Sequence, residues 1–295
     1  MSCKTIATIG LCVRNAEATV GHAIDSILKQ DFPREQMELI VVDGCSTDST
    51  LDIVRDKLKD SNLKVRIFCE NKGLGYARQL VVDNANGKYI LWVDADMVLP
   101  RDFVKKQVLF MEGSPKVGIA KGRYGICMKD NMVALLEDVE FAVTFRNEGE
   151  ASTLALGASG CIYRVEAVRQ AGGFDINMRG AAEDQDVENR VKAAGWLLYI
   201  SPAVFYEKRR STWKALWDEY FWHGIGAAHL FSKNRRAIKV FKMLPPVALF
   251  MESLRVPLAY KLTGRFAAFL LPFHYFFKRT AWIIGFVKGR LLIGR

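Results

Sequence analysis

Val93-Asp94-Ala95-Asp96 closes the apolar run Tyr89–Val93 and sets two carboxylates where a strand would give way to a loop. Side chains one residue apart in an extended segment point to opposite faces, but in the loop beyond they can converge. Converging carboxylates suit a hard divalent cation such as Mg2+ or Mn2+, and such a cation in turn neutralises a diphosphate. An Asp-x-Asp alone is common and is usually a polar loop; the strand end gives this one its weight. A second apolar run, Leu39–Val42, ends in Asp43-Gly44-Cys45-Ser46-Thr47-Asp48. Asp43 can accept hydrogen bonds from a nucleobase or ribose there, while Ser46 and Asp48 can equally cap the helix that follows. Glu183-Asp184-Gln185-Asp186 opens a helical stretch. Acids in a first turn usually serve the helix dipole; the functional alternative is a general base facing an acceptor hydroxyl. Gly73-Leu74-Gly75-Tyr76-Ala77-Arg78 begins like a dinucleotide fingerprint but ends in arginine. The first apolar run leads into no glycine-rich turn either, which argues against a dinucleotide-binding dehydrogenase. Lys72 and Arg78, near a helix start, can instead meet phosphate.

These residues need a frame, and the first half supplies an alternation of short apolar runs and helical patterns typical of an α/β domain. Strands are expected over Ile6–Val13, Leu39–Val42, Val65–Phe68 and Tyr89–Val93, with helices over Ala16–Lys29, from about Ser49 with Asp48 as N-cap, and over Gly75–Asn84. Ligands of an open α/β sheet bind at the carboxyl edge of its strands, and both acidic loops lie at that edge. Further along, strands are expected at Val117–Ala120 and Gly157–Tyr163, and helices at Met132–Arg146, Val165–Ala171 and Glu183–Ala194.

The 295 residues are half hydrophobic and one quarter charged, which favours a packed core over disorder. None of the six cysteines forms a Cys-x-x-Cys pair, so a reducing compartment without disulfides or a zinc site is expected. The net charge of +10 is unevenly spread: Ser201–Arg295 holds 17 basic and 4 acidic residues, against 25 and 28 before it. Nucleic acid is one reason for such a patch and an anionic membrane another. After about Lys233 apolar stretches are broken by charges and prolines, and the longest charge-free run, Phe266–Phe277, is too short to span a bilayer. Phe269–Phe277 and Trp282–Arg290 fit helices lying in a headgroup layer, or a helical subdomain packed on the rest. Trp213, Trp217, Tyr220 and Trp222 fit either an acceptor groove or core.

The order of these segments resembles the family 2 glycosyltransferases of the GT-A fold. Leu11-Cys12-Val13-Arg14-Asn15-Ala16-Glu17 through Gln30 is similar to that family's first strand and helix, and Val41–Asp48 to its nucleotide-binding acid segment. Asn71-Lys72-Gly73 through Ala77-Arg78, and Asp94-Ala95-Asp96, are similar to its next two motifs. Gly157–Tyr163 with Gly172-Gly173-Phe174-Asp175 resembles its acceptor segment, and Glu183-Asp184, followed by Arg190 and Gly195, its catalytic pair. The resemblance covers roughly residues 5 to 230.

The resemblance implies a mostly parallel sheet flanked by helices. A catalytic domain would span residues 1–232, with a nucleotide-sugar half (1–100) and an acceptor half (101–232), and a basic, aromatic helical extension would follow over 233–295. It also implies that Asp43 and Asp94 contact the nucleoside, with Arg14, Lys72 and Arg78 in the donor site. Asp96 would hold a divalent cation, and Asp184 would deprotonate the acceptor. Two departures stand out. Gly44 sits where many members carry a second acid. Phe205-Tyr206-Glu207-Lys208 stands where many carry a metal-binding histidine, so either Glu207 replaces that ligand or Asp96 and the diphosphate suffice. The implied activity is inverting, metal-dependent transfer of a hexose from a UDP- or GDP-sugar to a hydroxyl or phosphate, and the basic, aromatic last third favours a lipid-linked (polyprenyl) or membrane-proximal glycan as acceptor. The expected location is peripheral, at the cytoplasmic face of the cell membrane, with an anionic lipid surface as partner and no nucleic acid. The two rival readings are an inactive nucleotide-sugar scaffold, against which Asp94, Asp96 and Asp184 argue, and a nucleic-acid-binding protein, which leaves the ordered acids unexplained.

Overall fold

The computed structural model describes residues 4–127 and 131–293. Cys3 lies outside them, and the other five cysteines are free. The apolar runs form β1 (Ala7–Val13), β2 (Met37–Asp43), β3 (Lys64–Cys69) and β4 (Tyr89–Trp92). Four further strands follow: β5 (Met97–Val98), β6 (Val117–Tyr124), β7 (Cys161–Arg164) and β8 (Leu197–Glu207). They make one eight-stranded sheet in the order β3-β2-β1-β4-β7-β6-β8-β5. Every residue of β2 and β4 is buried, as continuous apolar runs covered on both faces require.

The helices α1 (Val20–Leu28), α2 (Thr50–Leu58) and α3 (Leu74–Asn84) connect the first four strands, and a helical crossover lets neighbouring strands run parallel. Hence β1 pairs parallel with β2 and β4, and β2 with β3. The sheet is mixed beyond that: β7 runs antiparallel to both β4 and β6, and β5 to β8. The remaining helices are α4 (Phe103–Glu112), α5 (Met132–Thr144), α6 (Val165–Gln170), α7 (Glu183–Ala193) and α8 (Trp213–Lys233). After them come α9 (Val240–Met243), α10 (Pro245–Ser253), α11 (Val256–Thr263) and α12 (Leu271–Ile293).

Local chemistry moved several expected boundaries. The helix expected from Ala16 starts at Val20, because the Ala16 carbonyl closes a turn with the amides of Thr19 and Val20. Gly157–Tyr163 is a strand only from Cys161, since Gly157 and Gly160 hold left-handed φ of 71° and 67°. Phe269–Phe277 and Trp282–Arg290 belong largely to one continuous helix, α12, preceded by a 3-10 turn at Phe266–Leu270. Its Lys278 is buried and paired, so the charge does not break it.

The chain packs as two compact units. One runs through Arg123 and adds Asn147–Arg179 and Glu183–Glu207; the other gathers Tyr124–Arg146, Gly180–Ala182 and the chain from Lys208 onward. In the second unit α8 and α12 cross in backbone contact. A Cβ on Gly224 would meet the Trp282 carbonyl oxygen at 2.1 Å, and one on Gly285 the Phe221 carbonyl oxygen at 2.0 Å. Of the four α8 aromatics singled out from sequence, Tyr220 is buried and Trp217 packs on Phe277, whereas Trp213 and Trp222 are exposed.

The same unit buries a charge cluster. Lys278 Nζ donates to Glu137 Oε1 at 2.6 Å, to Glu140, and to Tyr220 Oη at 2.9 Å. His274, one turn away, sets Nε2 3.2 Å from Glu137 and Nδ1 3.5 Å from Glu140. Burial alone would raise both carboxyls; the Lys278 charge outweighs it and holds both below the usual carboxylate range. Removing one partner of such a cluster strands the others in the interior. Lys278→Met is therefore expected to cost about 3–5 kcal/mol, read by urea unfolding, and adding Glu137→Gln and Glu140→Gln should restore most of the loss.

Candidate active site

Because β1, β2 and β4 run parallel, their carboxyl ends share one edge: Val13 is opposite Asp43, and Gly10 opposite Trp92, two residues before Asp94. The loops at this edge are laced together. The Asn15 amide donates to Ser46 Oγ at 2.9 Å, and the Thr47 amide donates back to Asn15 Oδ1 at 2.8 Å. Likewise the Glu17 amide donates to Asp48 Oδ2 at 3.2 Å, and the Ser49 amide to Glu17 Oε2 at 3.0 Å. The lacing holds Asn15 and Cys45 at left-handed φ of 49° and 55°, a conformation that L-residues rarely adopt without support. Asp43 is buried and accepts from the Ser46 hydroxyl at 2.6 Å and the Ser46 amide at 3.0 Å. Ser49, not Asp48, takes the cap position of α2, but Asp48 supplies the capping bond by accepting from the Thr50 amide at 3.0 Å. Arg14 is exposed, and its side chain runs past Gly44, where a Cβ would lie 3.3 Å from Arg14 Cβ.

The glycines before Arg78 serve packing. The Leu74 and Gly75 amides donate to the carbonyls of Arg179 and Met178, at 3.2 and 3.0 Å, so the first turn of α3 is docked on that loop. A Cβ at Gly75 would strike the Asp175 carbonyl oxygen at 2.3 Å. Lys72 is exposed, its ammonium 4.3 Å above the Tyr76 ring. Arg78 is turned inward. Its Nε lies 3.2 Å from Glu183 Oε1 and its Nη2 3.8 Å from Asp94 Oδ1, while the guanidinium stacks over Trp92 at 5.3 Å and Phe174 at 6.0 Å. Burial works against its charge, but Glu183, Asp94 and Asp184 outweigh burial and keep the guanidinium firmly protonated. Its Nη1 makes no hydrogen bond.

Four acids of α7 divide the work. Glu183 is buried against Arg78, and burial, then the Asp184 charge, push its carboxyl up to about 8 against the pull of Arg78. Asp186 is buried and paired with Arg190 at 2.6 Å. Asp184 is half-buried; its Oδ1 accepts from the Gln185 amide at 2.7 Å and its Oδ2 from the Ala158 amide at 3.0 Å. Glu188, one turn on, accepts from the Leu156 amide at 2.9 Å. Asp184 and Glu188 thus clamp the strap 156–158, and the next residue, Ser159, donates its hydroxyl to Asp94 Oδ2. Lys121 holds the far side of the strap through the Ser159 carbonyl at 2.5 Å. Asp94 and Asp184 are therefore joined by one short piece of backbone, and Arg78 links Asp94 to Glu183, the neighbour of Asp184. Ser159, Glu188 and Lys121 were not singled out from sequence; the bracketing Gly157 and Gly160 were the available signal.

Asp96 is half-buried in the turn before β5, and β5 pairs with the end of β8 so that Met97 faces Glu207. Glu207 thus lies opposite the residue that follows Asp96, one step out of register with it. Asp94, Asp96 and Glu207 offer only carboxylate oxygens, the donor set that a hard divalent cation prefers. Among the described residues the one group of three closely spaced metal-type ligands is Glu137, Glu140 and His274, where the Lys278 ammonium lies against both carboxylates.

A nucleotide-type sheet edge lined by Asp43, Asp94 and Asp96 and faced by the acids of α7 is the layout of a GT-A glycosyltransferase. The family model described as Glycosyl transferase family 2 matches residues 8–170, and the chain belongs to that family. Over 99 residues it is 35% identical to the poly(ribitol-phosphate) beta-N-acetylglucosaminyltransferase TarS of Staphylococcus aureus, a match covering 33% of this chain and 17% of TarS. Over 210 residues it is 24% identical to a poly-beta-1,6-N-acetyl-D-glucosamine synthase of Staphylococcus epidermidis, covering 69% of this chain and 48% of that protein. These curated relatives are matched over less than half of their own length. Among solved structures, the mannosyltransferase PcManGT from Pyrobaculum calidifontis, in complex with GDP-Man and Mn2+, superposes with a TM-score of 0.67 at 20% identity, covering 100% of this chain and 89% of that one. TarS 1-349 in complex with UDP superposes with a TM-score of 0.54 at 18% identity, covering 99% and 92%. These likenesses establish the fold.

The Glu188 carboxyl is pushed up to about 8 by burial and then by Asp184. A carboxyl whose pKa rises on folding binds a proton more tightly folded than unfolded. Its contribution is present at acid pH and is lost as pH climbs from the unfolded value through about 8. Glu188→Gln cannot ionise. Thermal unfolding should show the variant gaining on wild type between pH 5 and 8, at up to ~1.4 kcal/mol per pH unit; parallel pH profiles would contradict this.

Proposed function

We propose that the chain transfers a hexose from a UDP- or GDP-sugar to a hydroxyl or phosphate acceptor, with inversion at the anomeric carbon. The observation that carries the reading is the strap 156–159, which ties Asp184 on α7 to Asp94 at the donor edge. A half-exposed base is thereby held in fixed register with a nucleotide-binding carboxylate. In this reading residues 1–232 do the chemistry and 233–295 form an extension. Asp43 and Asp94 accept hydrogen bonds from the nucleoside, and Arg78, with an unspent Nη1 donor, braces Asp94. Arg14 and Lys72, exposed at the same edge, attract the diphosphate. Asp96 and Glu207 would hold Mg2+ or Mn2+, whose charge, when bound, stabilises the diphosphate leaving group.

Asp184 accepts the proton of the acceptor hydroxyl as that oxygen bonds to the anomeric carbon. The bond from that carbon to the diphosphate breaks on the opposite face, and the nucleoside diphosphate leaves with the electron pair. No covalent enzyme intermediate is required. Asp186 and Glu183 are unsuited to the base role because each is buried against an arginine. The basic extension makes a lipid-linked or membrane-proximal glycan the favoured acceptor, at the cytoplasmic face of the cell membrane.

Asp184→Asn should keep the thermal shift given by UDP or GDP yet lose transfer by on the order of 10²–10⁴. Should Asp186→Asn show that loss with its stability intact while Asp184→Asn does not, the base is wrongly assigned. Asp96→Asn should abolish Mn2+-dependent turnover of a nucleotide-sugar panel with little change in melting temperature, because the residue is not core. Full wild-type activity in EDTA would remove the cation from the reaction.

A further inference from the structure

Helix α12 buries two basic side chains among Leu271, Ala281, Trp282 and Phe286, and exposes an apolar stripe. Its inward face carries His274 and Lys278, both completely buried on Glu137 and Glu140. Its outward stripe is Phe273, Phe276, Ile284, Val287 and Leu291, spaced along one face and 40–68% exposed. A helix at a water interface turns a polar face outward, not a continuous apolar stripe. The polar residue between Phe276 and Ile284 in this stripe, Thr280, turns its hydroxyl back onto the Phe276 carbonyl at 2.9 Å. That internal bond is how a hydroxyl is satisfied where water is scarce. Just before α12, Phe266 and Phe269 are 76% and 56% exposed and, with Tyr260, pack on one another with ring centroids 5.5–6.5 Å apart rather than on the core.

The charges of this stretch of chain have almost one sign. Residues 240–293 hold eight Lys and Arg and a single acid, Glu252, which is buried and paired with Arg255 at 3.0 Å. Lys242, Lys261, Lys288 and Arg290 are exposed. Two copies meeting through this face would bring like charges together, whereas anionic phospholipid headgroups complement it and acyl chains accept the stripe. No helix of the described residues is long and apolar enough to cross a membrane. Lys278 and His274 also commit the inner side of α12 to protein.

We infer that the second unit docks on anionic bilayers through the outward stripe of α12 and the Phe266–Phe269 turn, with α12 lying along the surface and its aromatic residues in the headgroup layer. The inference is independent of the transfer reaction, because it involves none of the residues assigned to donor or acceptor chemistry. The test is flotation of the full chain with phosphatidylcholine vesicles, with and without an equal part of phosphatidylglycerol, at low and high salt. Wild type should float with the anionic vesicles and be weakened by salt. A chain carrying Phe266→Glu, Phe269→Glu and Phe273→Glu, all at exposed positions, should bind roughly tenfold less or worse, with its melting temperature and UDP or GDP shift unchanged. Wild type that stays unbound on anionic vesicles overturns the inference, as does a triple variant that floats equally well. Wild type that resists both high salt and carbonate would be inserted rather than docked. A wild-type dimer that the triple variant dissolves would assign the face to a second copy. Loss of transfer with flotation intact would count against the catalytic reading alone.

Discussion

A guanidinium without water needs its charge balanced from within, and that requirement at Arg78 organises the first unit. Asp94 at the end of β4 supplies the opposing charge, the Glu183 carboxyl of α7 lies 3.2 Å from its Nε, and Trp92 and Phe174 wall it in. A helix from the nucleotide half, a helix from the later half and a strand terminus are therefore held at one point. The docking of Gly75 under Asp175 and Met178 brings α3 close enough for the contact. Once it is made, Asp184 is set by its neighbour Glu183, and the strap from Leu156 to Ser159 has only a narrow range of positions. The edge can then offer several acids in mutual proximity without collapsing, because a buried cation sits behind them.

The second unit meets the same constraint with a lysine. Lys278 balances Glu137 and Glu140, one turn apart on α5, and the Tyr220 hydroxyl of α8 accepts its third hydrogen bond. The two units thus share a device, a buried cation joining helices distant in sequence, though with different outcomes. In the first, one partner, Asp94, remains part-exposed at the working edge. In the second, every partner is buried and the cluster is wholly architectural. A buried ion pair is weak evidence of net stability, but breaking one strands a charge, so each pair here fastens elements distant in sequence.

Much of the first unit could be read from the chain because its signals are local. Continuous apolar runs mark β1, β2 and β4, and acids directly after such runs fall at the carboxyl edge whatever the detailed packing. The mixed half was harder. β5 is two residues long and carries no periodicity; it exists because the end of β8 offers it a partner. The Gly157–Tyr163 segment looks extended by composition, but the left-handed glycines turn it into a strap. Glu188 and Ser159 act through contacts 32 and 65 residues away in sequence, which no spacing rule reveals. In the last third, Lys278-Arg279 reads as an interruption between two short helices. The structure shows why it is not one: Glu137, 141 residues earlier, draws that lysine inside.

Helices α8 and α12 meet backbone to backbone. Gly224 and Gly285 leave each backbone resting on the other, and such contacts resist both sliding and rotation, since any turn of either helix drives a carbonyl into a neighbouring atom. The azimuth of α12 is thereby set by two absent methyl groups. The face it shows outward is inherited from steric exclusion on its far side, and a sequence change in α8 could re-aim it without altering a single residue of α12.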